Sequence, residues 1–203
     1  MVRNETVRNF VVLGIDITSY SEKALVEQKS AQETVDRLLS DAVGASPLGE
    51  TSPPVWLDGG DGGYAVFTWG ERDVLELLDH FSELLDRENK RSAADHRVTV
   101  RMALHIGQII QWQGKLGQKF TGHTLNECAR LLSGMKRERG GQVVCSGPFY
   151  DSLATFGSSA KMVRLTDTVD KHGHRHETYN LCRDPGFGID PPEEDLIVNP
   201  FER

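Results

Sequence analysis

The order of apolar patterns along the chain predicts an α+β fold, a ferredoxin-like βαββαβ sandwich with its helices on one face of the sheet. Three observations predict it. FVVLGIDI at 10–17 is apolar on both faces until its acid, the pattern of a buried strand. Two short extended runs, 55–57 and 64–67, flank a Gly/Asp turn and so make a hairpin. Residues 97–106 alternate strictly, Val98, Val100, Met102, Leu104 and Ile106 against Arg97, Thr99, Arg101, Ala103 and His105. That is a strand with one apolar and one polar face.

Two amphipathic helices complete the unit. Ser19 and Ser21 are N-cap residues for a helical pattern running through Leu25, Val35, Leu38 and Leu39. Residues 45–54 form a Gly/Ser/Pro loop. Val74, Leu77, Leu78, Phe81, Leu84 and Leu85 mark the second helix. Beyond the unit, 111–121 is a polar loop or arm, Thr124 to Met135 a helix, Val143 to Cys145 a strand, and 160–182 a final pair of strands. One domain is expected over 1–183, followed by an extended or disordered acidic tail at 184–203. With the helices on one side, the other face of the sheet stays open for a ligand or partner.

Composition narrows the function classes. A net charge of −7 does not invite nucleic acid or an anionic membrane, so a small anionic substrate needs a local concentration of donors or metal ions. Cys128, Cys145 and Cys182 are odd in number and lack CxxC spacing, which argues against a disulfide framework or zinc cage and for a reducing, cytoplasmic setting. The apolar run at 10–17 is too short to span a bilayer, and no membrane anchor is expected.

The two acids sit at an element end and in a turn. Asp16 closes a buried strand and Asp61 lies in the neighbouring hairpin turn, so the two carboxylates can converge. Such a pair repels itself unless something positive sits between, and oxygen-ligated Mg²⁺ or Mn²⁺ is the natural occupant. Either acid alone has an ordinary reading, Asp61 as turn former and Asp16 as cap. Thr18, Ser19, Tyr20 and Ser21 open a helix whose N–H groups suit a triphosphate. Arg101 projects from the polar strand face toward the cleft as a phosphate partner. Asn126 and Arg130, four apart, share one side of a helix, where an amide and a guanidinium suit a ribose and a developing phosphorane charge. His80, His96 and the trio His172, His174 and His176 read as surface histidines with no partner acid fixed nearby; Lys171 and Arg175 can reach a terminal phosphate.

Four segments in order, FVVLGIDITSYS, LDGGDGGYAVF, RMALHIGQI and GHTLNECARLL, resemble the catalytic domain of class III adenylate/guanylate cyclases over roughly residues 10–182. The resemblance implies two divalent cations, Mn²⁺ or Mg²⁺, on Asp16, Asp61 and the carbonyl of Ile17. It implies phosphate binding at Arg101, and ribose and transition-state contacts at Asn126 and Arg130. It further implies a head-to-tail homodimer in which one copy supplies the acids and the other the Asn/Arg pair, with 111–121, including Trp112, as dimer-contact arm. The substrate is a nucleoside triphosphate and the product its 3′,5′-cyclic monophosphate with pyrophosphate.

The base-selecting positions depart from the family pattern. Leu57 stands where adenylate cyclases carry Lys and guanylate cyclases Glu, and Lys119 stands at the second position, three before the glycine of GxxxN. Short stand-alone domains with rewritten base pockets resemble bacterial pyrimidine cyclases that make cyclic UMP or cyclic CMP in antiphage defence. Lys119 can donate to a pyrimidine carbonyl, and Leu57 or Trp56 can fill the space left by a smaller base, which favours UTP, then CTP. Three other readings stand beside this one. They are an adenylate cyclase with an atypical base pocket, a non-catalytic cyclase-fold ligand sensor, and a diguanylate cyclase suggested by the GGDGG turn, which lacks the Glu-Phe expected there.

Overall fold

The computed structural model describes residues 6–135, 141–155, 161–165, 167–169 and 175–182. Lys171, His172, His174 and the tail at 184–203 lie outside the described residues.

The predicted unit is present. Strand β1 (Thr6–Ile17) leads through helix α1 (Leu25–Ala45) and a short α2 (Pro47–Thr51) to the hairpin β2 (Val55–Asp58) and β3 (Gly62–Phe67). Helix α3 (Glu71–Arg91) then returns to β4 (Val100–Gly114). These strands lie in the order β2-β3-β1-β4, all antiparallel, which is the ferredoxin-like arrangement. The loop expected at 45–54 is partly helical, because Ser46 caps α2 through its hydroxyl and Pro47 starts it with φ already set.

The sheet then grows past that unit. β6 (Val143–Ser146) pairs parallel with β4, and β10 (Thr178–Cys182) runs between β6 and β7 (Lys161–Arg164). The stretch 111–121 is a two-stranded arm in which β5 (Gly117–Thr121) folds back on the end of β4, with Leu116 at its exposed tip. β8 (Thr168–Val169) and β9 (Arg175–His176) form a separate small ladder. Two helices pack on these strands: α4 (His123–Gly134) and α5 (Gly147–Thr155), which buries Phe149 and Leu153.

Two cores form, one on each side of the sheet. Val11, Leu13 and Ile15 of β1 pack with Val35 and Leu38 of α1 and with Val74, Leu78 and Phe81 of α3. Phe81 is fully buried, so its truncation to alanine costs about 3–5 kcal/mol. On the opposite side Phe10, Val12, Ala103 and Ile109 pack with Cys128, Leu131 and Leu132 of α4. This corrects the expectation of an open face. α4 covers it over β1 and β4, and Arg101, Ala103 and His105, the polar side of the alternation, are buried. The covering helix comes close because Gly14 has no side chain: a Cβ there would meet Leu132 Cδ1 at 2.7 Å and Cys128 Sγ at 3.0 Å.

Candidate active site

β1 carries Asp16 one residue before its end at Ile17, where the hairpin reaches it. Asp16 lies opposite Gly62 in the β1–β3 register, and the Ile17 N–H donates to the Asp61 carbonyl at 2.8 Å. Gly62 makes this approach possible, since a Cβ there would sit 2.0 Å from the Ile15 carbonyl oxygen. The turn between is tightly bonded. Gly59 N–H donates to the Gly62 carbonyl at 2.9 Å, Gly60 adopts φ 90°, and the Gln32 amide of α1 donates to the Gly60 carbonyl. Asp16 and Asp61 therefore line one cavity of about 240 Å³, together with Arg101 and the segment 17–22.

The two expected phosphate binders arrive differently. Arg101 lines the cavity but does not reach into it freely. It is 7% exposed, and its Nε and Nη2 donate to Asp16 Oδ2 at 3.0 and 2.5 Å while Nη1 donates to the Met135 carbonyl at 2.7 Å. The reason is register: Asp16 and Arg101 are cross-strand partners on the face that α4 covers. Thr18 to Ser21 do not open a long helix. Thr18 N–H bonds the Thr99 carbonyl at 2.9 Å, Ser19 turns left-handed at φ 53° without a side-chain cap bond, and a single 3₁₀ turn spans Tyr20–Glu22. α1 starts only at Leu25, where the Ala24 N–H is capped by the Glu27 carboxylate at 2.9 Å. Ser19 and Ser21 therefore cap no α-helix, and the helix dipole expected at the phosphates is absent from this segment. A non-glycine residue held at positive φ beside two carboxylates is the strain that often marks a working loop.

Asn126 and Arg130 lie on α4, away from the cavity of the two acids, whose lining includes neither. α4 is fixed by Thr124, buried, whose hydroxyl donates to the Gln108 carbonyl at 2.8 Å. Asn126 is exposed, and Arg130 Nη1 donates to Glu127 Oε1. The other Glu127 oxygen meets His176 Nδ1 at 2.9 Å, so His176 is an acid's partner and not the lone surface histidine expected. His105, beside them, bonds Ser146 Oγ at 2.7 Å, and burial pushes its pKa down. Of the base positions, Leu57 packs toward the α4 side of the sheet. Trp56 alternates to the α1 side, beside Gln32 and Asp36. Lys119 is exposed on the arm, opposite Trp112. The chain does not bring Leu57 and Lys119 to the cavity of the acids.

No family model matches the chain, and no curated protein matches its sequence. Solved structures do match. An adenylate/guanylate cyclase/hydrolase from Silicibacter pomeroyi superposes with a TM-score of 0.67 at 17% identity, covering 88% of this chain and 99% of that one. The guanylate cyclase domain of RhGC from Catenaria anguillulae, in complex with GTP, gives 0.65 at 16%, covering 87% and 98%. A bacterial light-regulated adenylyl cyclase gives 0.71 at 15%, covering 88% of this chain and 53% of that one. The chain has the fold of class III adenylate/guanylate cyclase catalytic domains.

Within that cyclase fold the donor set suits a hard divalent cation. Among the described residues no three His, Cys, Asp or Glu side chains gather into a metal cage. Two carboxylates, Asp16 and Asp61, line the cavity, with Ile17 beside them. Mg²⁺ keeps several waters and takes further oxygens from substrate phosphates, so a two-carboxylate site fits it better than a closed cage does. Tyr64 stands opposite Leu57 across the hairpin, outside the lining of the acids' cavity, and burial first, then Cys128, Asp61 and Asp16, raise its phenol pKa. Among the described residues no helix is long and apolar enough to cross a membrane.

Proposed function

We propose that the chain is a nucleotide cyclase that closes a nucleoside triphosphate into its 3′,5′-cyclic monophosphate. The observation that carries the reading is the convergence of Asp16 and Asp61 on one cavity, at the β1 end and hairpin turn of a cyclase fold. The ribose 3′ oxygen, losing its proton, forms a bond to the α-phosphorus in line as the bond from that phosphorus to the pyrophosphate oxygen breaks. Two divalent cations held by Asp16, Asp61 and the Ile17 carbonyl would lower the pKa of the 3′ hydroxyl and neutralise the departing pyrophosphate. Asn126 orients the ribose and Arg130 stabilises charge on the pentacoordinate phosphorus.

Because Asn126 and Arg130 lie outside the cavity of their own chain, the complete site is shared by two copies in a homodimer with two equivalent sites. The exposed apolar side chains of the arm and its neighbour, Ile110, Trp112, Leu116 and Val7, support that contact. For the base we propose a pyrimidine, UTP ahead of CTP. Lys119 offers a donor suited to uracil O4, and Leu57 offers no polar group to a purine. Such a product would serve as a second messenger, as in antiphage defence. A second reading is an adenylate cyclase with an atypical pocket. A structural neighbour is the catalytic core of a rhodopsin-guanylyl cyclase with converted specificity in complex with ATPαS. Base choice in this fold is thus open to rewriting.

The test is chromatography of products from ATP, GTP, CTP and UTP with Mn²⁺, comparing the parent with Asp61→Ala. Cyclic UMP from the parent and its loss in the variant is the expected result. Faster cyclisation of ATP moves the base assignment to adenine. Release of pyrophosphate from none of the four leaves a ligand sensor in place of an enzyme.

A further inference from the structure

Asp16 already has a cationic partner within its own chain. Both Arg101 bonds land on a single carboxylate oxygen, Oδ2, and the third nitrogen is spent on the carbonyl of Met135, just past the end of α4. The guanidinium is therefore held on two sides, and the pair is largely covered, with side-chain exposures of 9% for Arg101 and 21% for Asp16. A surface ion pair contributes little, but a covered one with every bond directed resists separation, because parting leaves a charge without a partner. Any cation that comes to Asp16 meets that fixed positive charge first.

Resting on the cyclase reading, we propose that Arg101 is the internal counterion of Asp16 and competes with divalent cations for it. Loading of the metal site then frees the guanidinium for the triphosphate that follows. The resemblance that makes Arg101 a phosphate binder describes only the second of these states. Two rival roles predict other behaviour. A group that binds phosphate alone has no effect on metal taken up without nucleotide. A group that only orients the ligand carboxylate helps the metal, so its removal weakens metal binding.

The deciding measurement is Mn²⁺ binding to the full chain without nucleotide, read from the free-ion electron paramagnetic resonance signal, for the parent, Arg101→Gln and Asp16→Asn. The expected result is roughly tenfold tighter Mn²⁺ binding by Arg101→Gln, from removal of one positive charge a few ångströms from the ion, with a raised KM for the nucleotide. Asp16→Asn loses Mn²⁺ binding. Equal or weaker binding by Arg101→Gln overturns the counterion role, whatever the activity. A parent that binds Mn²⁺ but makes no cyclic product from any nucleotide sinks the cyclase reading and leaves the counterion role standing. The parent gives an independent check should Arg101→Gln fail to fold. Its Arg101 Nε–H resonance moves on adding Mg²⁺ alone, and an unmoved resonance at saturating Mg²⁺ overturns the proposal.

Discussion

Gly62→Ala tests the link between backbone packing and the acid pair. The added Cβ would lie 2.0 Å from the Ile15 carbonyl oxygen, 2.9 Å from its carbon and 3.0 Å from the Asp16 Cα. All three are backbone atoms, so no side chain can turn aside. Real Cβ atoms keep about 3.0 Å from such neighbours, so β3 must move from β1 by about 1 Å at the position that brings Asp61 to Asp16. Overpacking of this kind costs about 1–3 kcal/mol, which lowers Tm by about 2–4 °C per kcal/mol in a domain of this size. A misplacement of about 1 Å in a catalytic constellation costs about 10²-fold in rate. Gly44→Ala is the control, since its Cβ would meet nothing within 4 Å in the exposed last turn of α1. That variant keeps full activity and gains a few tenths of a kcal/mol, roughly. Scanning calorimetry and cyclic-nucleotide production on both variants decide the matter. Wild-type turnover by Gly62→Ala would mean that this glycine does not set the distance between the acids.

Glu127→Ala removes the carboxylate that holds Arg130 on one oxygen and His176 on the other; kcat falls roughly tenfold with KM little changed, and a change confined to KM contradicts the positioning role. His105 is held neutral by burial, with its folded pKa below the ordinary value of 6.5. The unfolded chain then takes up the proton first as pH falls, so stability is full above about pH 6.5 and is lost below it. Thermal midpoints between about pH 7.5 and 5.5 should show this drop, and it flattens in His105→Gln; an equal slope in both chains contradicts it. Cys128 and Cys145, their thiols raised to about 12 by burial, stay unmodified by alkylating reagents in the native protein at neutral pH. Rapid labelling without unfolding, followed by mass spectrometry, would count against the packing of α4 and β6.

The legible parts were those written in local pattern. The unbroken apolar run before Asp16, the Gly/Asp turn at 58–63 and the alternation at 98–106 each declare an element and its place in the order β2-β3-β1-β4. What lay beyond reach depended on which surface meets which. The alternation around Arg101 reads as a solvent face unless α4 is known to cover it, and the periodicity of Cys128, Leu131 and Leu132 does not say which side of the sheet they choose. Gly14, a glycine inside an otherwise apolar strand, was the available hint of a close approach. α5, only nine residues long, is too short for a helical period to declare itself, although Pro148 near its start and Phe149 four before Leu153 are helical signs. The contacts Arg101–Asp16 and His176–Glu127 join residues 85 and 49 positions apart, and nothing in local sequence fixes such partners.

In the proposed homodimer each working site takes its acids from one copy and its Asn/Arg pair from the other. Co-expression of Asp61→Ala with Arg130→Ala tests it. Random pairing gives mixed dimers in about half of the population, each with one intact site of two, so about a quarter of wild-type activity returns from two chains that are each inactive alone. A mixture as inactive as its components would contradict the shared site.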